Sequence, residues 1–155
     1  MVIARPDKYF MVAGYAEGSS PLNAFDHALI KAGIGNTNLL RMSSILPPGA
    51  REIPPPSLPY GALVPTAYAD ETSDVAGARV AAAVACGVPA DPALPGVIME
   101  HHLQGAEELC RQEVVLKVEE AFAVRGYRLA DVKVVSASGV VQKVGSAVAA
   151  VVLWT

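Results

Sequence analysis

Residues 46–59 read LPPGAREIPPPSLP, and six of these fourteen positions are proline. Proline fixes φ and offers no backbone donor, so neither a helix nor a central strand can run through this stretch. It must be an extended connector or an edge.

Before it, Tyr9–Tyr15 (YFMVAGY) reads as a short strand. Ser20 followed by Pro21 is the pattern of a helix N-cap with proline at the first helical position. Leu22, Phe25, Leu29 and Ile30 recur at helical spacing and predict the apolar face of that helix, which Gly33 and Gly35 end. Asn38–Ile45 predicts a buried strand closed by Pro47 and Pro48. After the prolines, Gly61–Ala69 returns to strand character. Val75–Val88 is so rich in alanine and valine that its period fits strand or buried helix. Gly77, Gly87 and Pro89 favour strand.

Val97–His101 predicts a short strand, and Ala106–Arg125 predicts the best helix in the chain. Glu107 and Glu108 suit its first turn, where the helix dipole favours anions. Leu109, Val114, Val118, Ala121 and Phe122 form the expected apolar face, with Gly126 at the end. Val132–Ser138 and Ser146–Trp154 close the chain as two strands around a turn near Gly139 or Gly145. Strand–helix–strand–strand thus occurs twice, before residue 70 and after residue 95. Two sheets with one helix layer outside each would bury both helices efficiently, which predicts one α/β domain over 1–155.

The chain is 52% hydrophobic and only 17% charged, against ~25% charged in an average soluble domain. The surplus apolar surface has two outlets, a membrane or a subunit interface. A membrane helix needs ~20 consecutive apolar residues, whereas Ala147–Trp154 (AVAAVVLW) is only strand-length. A homo-oligomer with no membrane span is the expectation. A net charge of −3 gives no electrostatic reason to bind nucleic acid. Cys86 and Cys110 lack any CxxC spacing and read as reduced core thiols, not as zinc ligands or a disulfide. The start, MVIARPDKYF, carries no apolar h-region or cleavage site, so a cytoplasmic protein is expected.

Chemistry concentrates in residues 36–50, NTNLLRMSSILPPGA. If the Ser43-Ser44 bond is strained, the Ser44 hydroxyl can attack the Ser43 carbonyl and turn the amide into an ester. β-Elimination then cuts the chain, and residue 44 loses ammonia to become an N-terminal pyruvoyl group. That ketone is an electrophile no encoded side chain supplies. Ser19-Ser20 is the internal control: the same dipeptide there reads simply as loop and helix cap.

Glu100 follows Val97, Ile98 and Met99, so its carboxyl either starts from an apolar wall that raises its pKa or faces water at a strand end. Asp26 sits among Leu22 and Leu29, on the expected apolar side of its helix. A charge there needs a partner, either a ligand guanidinium or an internal arginine such as Arg41. His101 and His102 point to opposite faces of a strand and have no third ligand nearby, so no metal site is expected. Tyr9, Tyr15, Tyr60 and Tyr68 read as packing or interface residues.

Four blocks in order, PLNAFDHALIKAGIGNTNLLRMSSILPP, LPYGALVPTAYADETSDV, GVIMEHH and GSAVAAVVLW, resemble the pyruvoyl-dependent arginine decarboxylases. The likeness runs from about Val12 to Trp154, strongest over residues 21–75 and weakest over 76–95. His101-His102 and the short N-terminus before Tyr9 depart from the family pattern.

The resemblance implies self-cleavage between Ser43 and Ser44 into chains 1–43 and 44–155, with Ser44 the precursor of a covalent pyruvoyl group. It implies that arginine forms an imine there and leaves as agmatine and carbon dioxide, without pyridoxal phosphate or a metal. Glu100 would be the proton donor and Asn38 an amide lining the pyruvoyl site. Asp26 would hold the substrate guanidinium, and Leu29 and Ile45 would wall the pocket. It further implies a trimer, or a multiple of trimers, with sites between neighbours and a layered α/β/β/α sandwich of mostly antiparallel sheets. The alternatives are a non-catalytic trimeric scaffold on the same fold and a pyruvoyl decarboxylase for another amino acid.

Overall fold

A computed structural model of the chain describes residues 3–155. The elements run β1 (Lys8–Glu17), α1 (Pro21–Lys31), β2 (Asn38–Arg41), β3 (Ile45–Leu46), β4 (Arg51–Glu52), β5 (Leu63–Ser73), β6 (Arg79–Pro89), β7 (Gly96–Gln104), α2 (Glu107–Arg125), β8 (Leu129–Val140) and β9 (Gly145–Trp154). The first sheet has the order β2-β5-β9-β1-β4, the second β3-β7-β6-β8. Only the short β1–β4 and β2–β5 pairs are parallel; the remaining ladders are antiparallel. Helix α1 covers the outer face of the first sheet and α2 that of the second. The layers are therefore α/β/β/α, as expected.

β6 and β9 explain why parts of the sequence carry no clear period. In β6, Val80, Ala82, Val84 and Cys86 face the core between the sheets, while Ala81, Ala83 and Ala85 face α2. In β9, Ala147, Ala149 and Val151 face the second sheet while Val148, Ala150 and Val152 face α1. Strands buried on both faces have no polar side to alternate with. Cys86 and Cys110 are free thiols buried in different layers, and burial pushes them up to about 12 and about 11.

The helix ends follow the sequence. Ser20 accepts the Asn23 N–H at 3.1 Å as N-cap of α1, and Gly126 closes α2 at φ 69°. The helix faces follow only in part: Leu29, Val114, Val118, Ala121 and Phe122 are buried as expected. Leu22 and Ile30 are exposed, and the buried residues of α1 are Ala24, Ala28 and Leu29. Leu109 is likewise exposed, with Cys110 buried in its place. For α1 close approach is the reason: a Cβ on Gly14 of β1 would lie 2.8 Å from the Ala28 carbonyl oxygen. A helix seated that near a sheet turns its small residues inward.

The same closeness yields a stability prediction. A Cβ on Gly87 would lie 2.5 Å from Val118 Cγ1 and 2.7 Å from Phe122 Cε2, and both side chains are buried. Gly87→Ala is expected to cost about 1–3 kcal/mol through overpacking, seen as a lower denaturation midpoint at unchanged m-value. An unshifted midpoint would mean that α2 can lift off at no cost.

Two further expectations are corrected. Asn38–Ile45 is not one buried strand: β2 is a largely exposed edge that ends at Arg41, and a separate β3 begins at Ile45 in the other sheet. The closing strands do not pair with each other either, since β8 lies beside β6 and β9 between β5 and β1. Their connection passes between sheets, and the Glu17 carboxylate anchors it by accepting the Gln142 and Lys143 N–H groups at 3.2 and 2.9 Å.

Candidate active site

The break between β2 and β3 places the two serines. β2 pairs with β5 through Arg41↔Thr66, and the Met42 N–H still donates to the Thr66 carbonyl at 3.2 Å. Two residues later the Ser44 carbonyl accepts from Ile98 N–H on β7 at 2.7 Å. Ile45 and Leu46 then pair with Val97 and Gly96. The Ser43-Ser44 bond therefore lies in a crossing between two sheet edges, tied to the first sheet on one side and to the second on the other. Leu46 is buried and anchors the far end. Pro47 and Pro48, having no N–H, stop the strand there. Ser43 is exposed, and Ser44 is half-buried at a bend.

β7 brings Glu100 to the same place. Residues two apart on a strand share a face, so Glu100 follows Ile98, which packs in the core between the sheets. Its side chain stands at the open end of that gap, 31% exposed. Burial raises its pKa above the usual carboxylate range, while Arg41 and Lys117 pull the other way. Arg41 Nη2 is 3.8 Å from Glu100 Oε1.

Of the residues named from sequence, the single chain brings together Ser43, Ser44, Ile45 and Glu100. Ile45 is exposed beside the serines. Asn38 lies at the opposite end of β2 from Arg41, three residues or about 10 Å away, with its amide donating to the Gly61 carbonyl at 3.2 Å. Asp26 and Leu29 lie on α1, on the outer side of the first sheet. Leu29 is buried against that sheet.

Asp26 is exposed, which corrects the expectation that it shares the apolar side of its helix. The face it shares with Leu22 is the solvent face. Arg41 is not its partner, because Arg41 is engaged with Glu100.

Sequence reading passed over three residues around Glu100 and its partner Arg41. Tyr68 lies beneath Arg41, with the guanidinium carbon 4.4 Å from the ring centroid. Lys117 donates to the Glu100 main-chain oxygen at 3.0 Å. Arg41 itself appeared only as a partner for Asp26. Its place two residues before Ser43 was the available signal, but the β2–β5 and β3–β7 pairings that give it meaning join strands far apart in sequence. Among the described residues no group of three or more His, Cys, Asp or Glu could hold a metal ion. His101 lies 2.9 Å from Lys117 Nζ, and His102 lies 2.6 Å from Glu71.

Known proteins match this sequence over nearly its full length. The sequence profile of the family described as pyruvoyl-dependent arginine decarboxylase matches residues 8–155. A pyruvoyl-dependent arginine decarboxylase of Methanocaldococcus jannaschii is 44% identical over 149 residues, 96% of this chain and 90% of the relative. Another, from Methanococcus maripaludis, is 42% identical over 149 residues, covering 96% and 91%. One from Pyrococcus furiosus is 41% identical over 152 residues, covering 96% of both chains. With the profile and these relatives aligned over nearly its full length, the chain belongs to the pyruvoyl-dependent arginine decarboxylase family.

Proposed function

We propose that this chain cuts itself between Ser43 and Ser44 and then converts arginine to agmatine and carbon dioxide. The observation that carries the reading is the crossing itself. A Ser-Ser bond is held between two sheet edges, with a half-buried carboxyl whose pKa is raised standing two residues along the adjoining strand.

The cut balances without an outside oxidant or reductant. Ser44 Oγ adds to the Ser43 carbonyl carbon, the C–N bond breaks, and an ester with a free Ser44 amine results. Loss of the Ser44 Cα proton expels Ser43 as a carboxylate and leaves a dehydroalanine. Its imine tautomer takes up water and releases ammonia, leaving the ketone.

The residues fit a pyruvoyl group at position 44. The main-chain carbonyl beside it is held by the Ile98 N–H, and β3 and β7 both belong to the large fragment. When present, the group supplies an electrophilic ketone with an adjacent amide carbonyl to draw electrons from the substrate carbon. Glu100 is assigned to give a proton to that carbon after carbon dioxide departs, and its raised pKa favours the acid form this requires. The Asn38 amide is assigned to donate to developing negative charge, and Asp26 to pair with the substrate guanidinium through a two-point contact. Leu29 and Ile45 are the proposed apolar walls.

Asp26, Leu29 and Asn38 do not converge on Ser44 within one chain, which supports a site completed between copies in a trimer. Leu40 and Ile45, exposed on either side of the crossing, support contact there, and Leu63, exposed beside Asn38, extends that apolar edge. No helix among the described residues is long and apolar enough to cross a membrane. The two unpaired buried thiols are in keeping with a reducing, cytoplasmic setting.

Intact mass and a denaturing gel provide the test. Two species, residues 1–43 and 44–155 with a blocked second N-terminus, are the expected result. A single full-length chain after prolonged incubation would leave the scaffold alternative standing. With cleavage in hand, carbon dioxide release from arginine, lysine, histidine and ornithine assigns the substrate; release fastest from another amino acid would overturn arginine.

A further inference from the structure

Glu100 meets a cation that is already fixed in place. Arg41, the last residue of β2, donates from Nη2 to the Tyr68 carbonyl at 2.9 Å. Its guanidinium lies over the Tyr68 ring, 4.4 Å from the centroid. Glu100 Oε1 is its third contact at 3.8 Å.

An exposed ion pair alone contributes little, because ordering two long side chains offsets the attraction. The Arg41 side chain is 56% exposed, yet the ring and the carbonyl orient it independently of Glu100. The carboxyl therefore approaches a preset charge. The placement is also specific to the crossing. Arg41 stands two residues before Ser43, and Glu100 stands two residues beyond Ile98, whose N–H holds Ser44.

We propose that Arg41 is a positioning residue for the proton donor: seated on Tyr68, it holds the Glu100 carboxyl across the gap between the sheets, facing residue 44. This rests on the reading of Glu100 as the acid. Arg41 from β2, Lys117 from α2 and His102 from β7 are the basic groups that act on Glu100. Lys117 is directed to the Glu100 main-chain oxygen and to His101 Nδ1. His102 is engaged with Glu71 of β5. Arg41 is thus the cation that meets the carboxyl group itself. Burial and Arg41 act on Glu100 in opposite directions, burial raising its pKa and Arg41 lowering it.

The test does not depend on a formed pyruvoyl group. In a Ser44→Ala background, the Glu100 carboxyl is followed by carbon-13 NMR through a pH titration and assigned with Glu100→Gln. Arg41→Met removes a neighbouring positive charge, which favoured the ionised form. The Glu100 midpoint should therefore move up by about one pH unit. Arg41→Lys should move it far less. Tyr68→Leu, which keeps the charge but removes its seat, should give a smaller upward shift.

In the self-cleaving protein, Arg41→Met should lower kcat about tenfold with little change in KM. The alkaline limb of its kcat profile should move up with the titration. Arg41→Lys should restore the limb but not the rate. An unmoved Glu100 midpoint in both Arg41→Met and Tyr68→Leu overturns the proposal. Full activity of Glu100→Gln would instead overturn the acid assignment beneath it, whatever the titration gives.

Discussion

Ser44→Ala is expected to yield one uncut chain of 155 residues that folds and has no decarboxylase activity. The attacking oxygen is lost, while the contacts that place residue 44 are made by its main chain. The Ile98 N–H still meets the residue 44 carbonyl, and β3 still pairs with Val97 and Gly96. A half-buried hydroxyl contributes little to stability here, so the thermal midpoint should stay within a few degrees, about 0.5 kcal/mol. Intact mass reads the first outcome and a melting curve the second. Two fragments from this variant would remove Ser44 as the nucleophile. A lost fold would mean that the hydroxyl, not the backbone, anchors the crossing.

Glu100→Gln should separate the cut from the turnover. The chain should still yield both fragments, because the chemistry of cleavage is assigned to the serines. Decarboxylation should slow by about 10²–10⁴-fold, the range over which a positioned general acid acts. The sign of the pH dependence follows from burial. A carboxyl raised above its ordinary range stays protonated to higher pH, so wild-type kcat should hold on the acid side and fall as pH rises through the Glu100 titration. In Glu100→Gln that alkaline fall should disappear along with most of the rate. Measuring kcat across pH for both proteins checks this, and an alkaline limb of unchanged position in the variant would assign it to another group.

The sequence was most readable where a local rule had no competitor. Ser20-Pro21 could only begin a helix, and Gly126 could only end one; both do. It was least readable where distance in the chain hides closeness in space. β9, the last strand, pairs with the first, β1, over ten residues, and no local pattern announces that. Leu22 and Ile30 misled because large apolar residues look like a core, whereas α1, pressed onto Gly14, has small ones beneath it; on α2 the buried place expected of Leu109 is taken by Cys110.

The candidate site divides in the same way. Ser44 and Glu100 stand out as candidates in the sequence, and the β3–β7 pairing brings them near each other in the fold. Asp26 was given a buried setting by helical spacing, and the tight seat of α1 turned that face outward. Arg41 was visible but assigned to the wrong carboxylate, because choosing between Asp26 and Glu100 requires knowing which sheet edges meet.

The position of β1 makes the timing of the proposed cut matter. β1 lies inside the first sheet, between β9 and β4, and precedes the serines. In an uncut chain β1 and β9 are one molecule, and bringing them together costs only a loop-closure entropy that grows slowly with length. Without the bond between residues 43 and 44, the same register must be found by two separate molecules. Refolding then becomes second order, and apparent stability depends on concentration. If the proposed cut occurs, one molecule reaches the fold before it and two must meet to regain it afterwards.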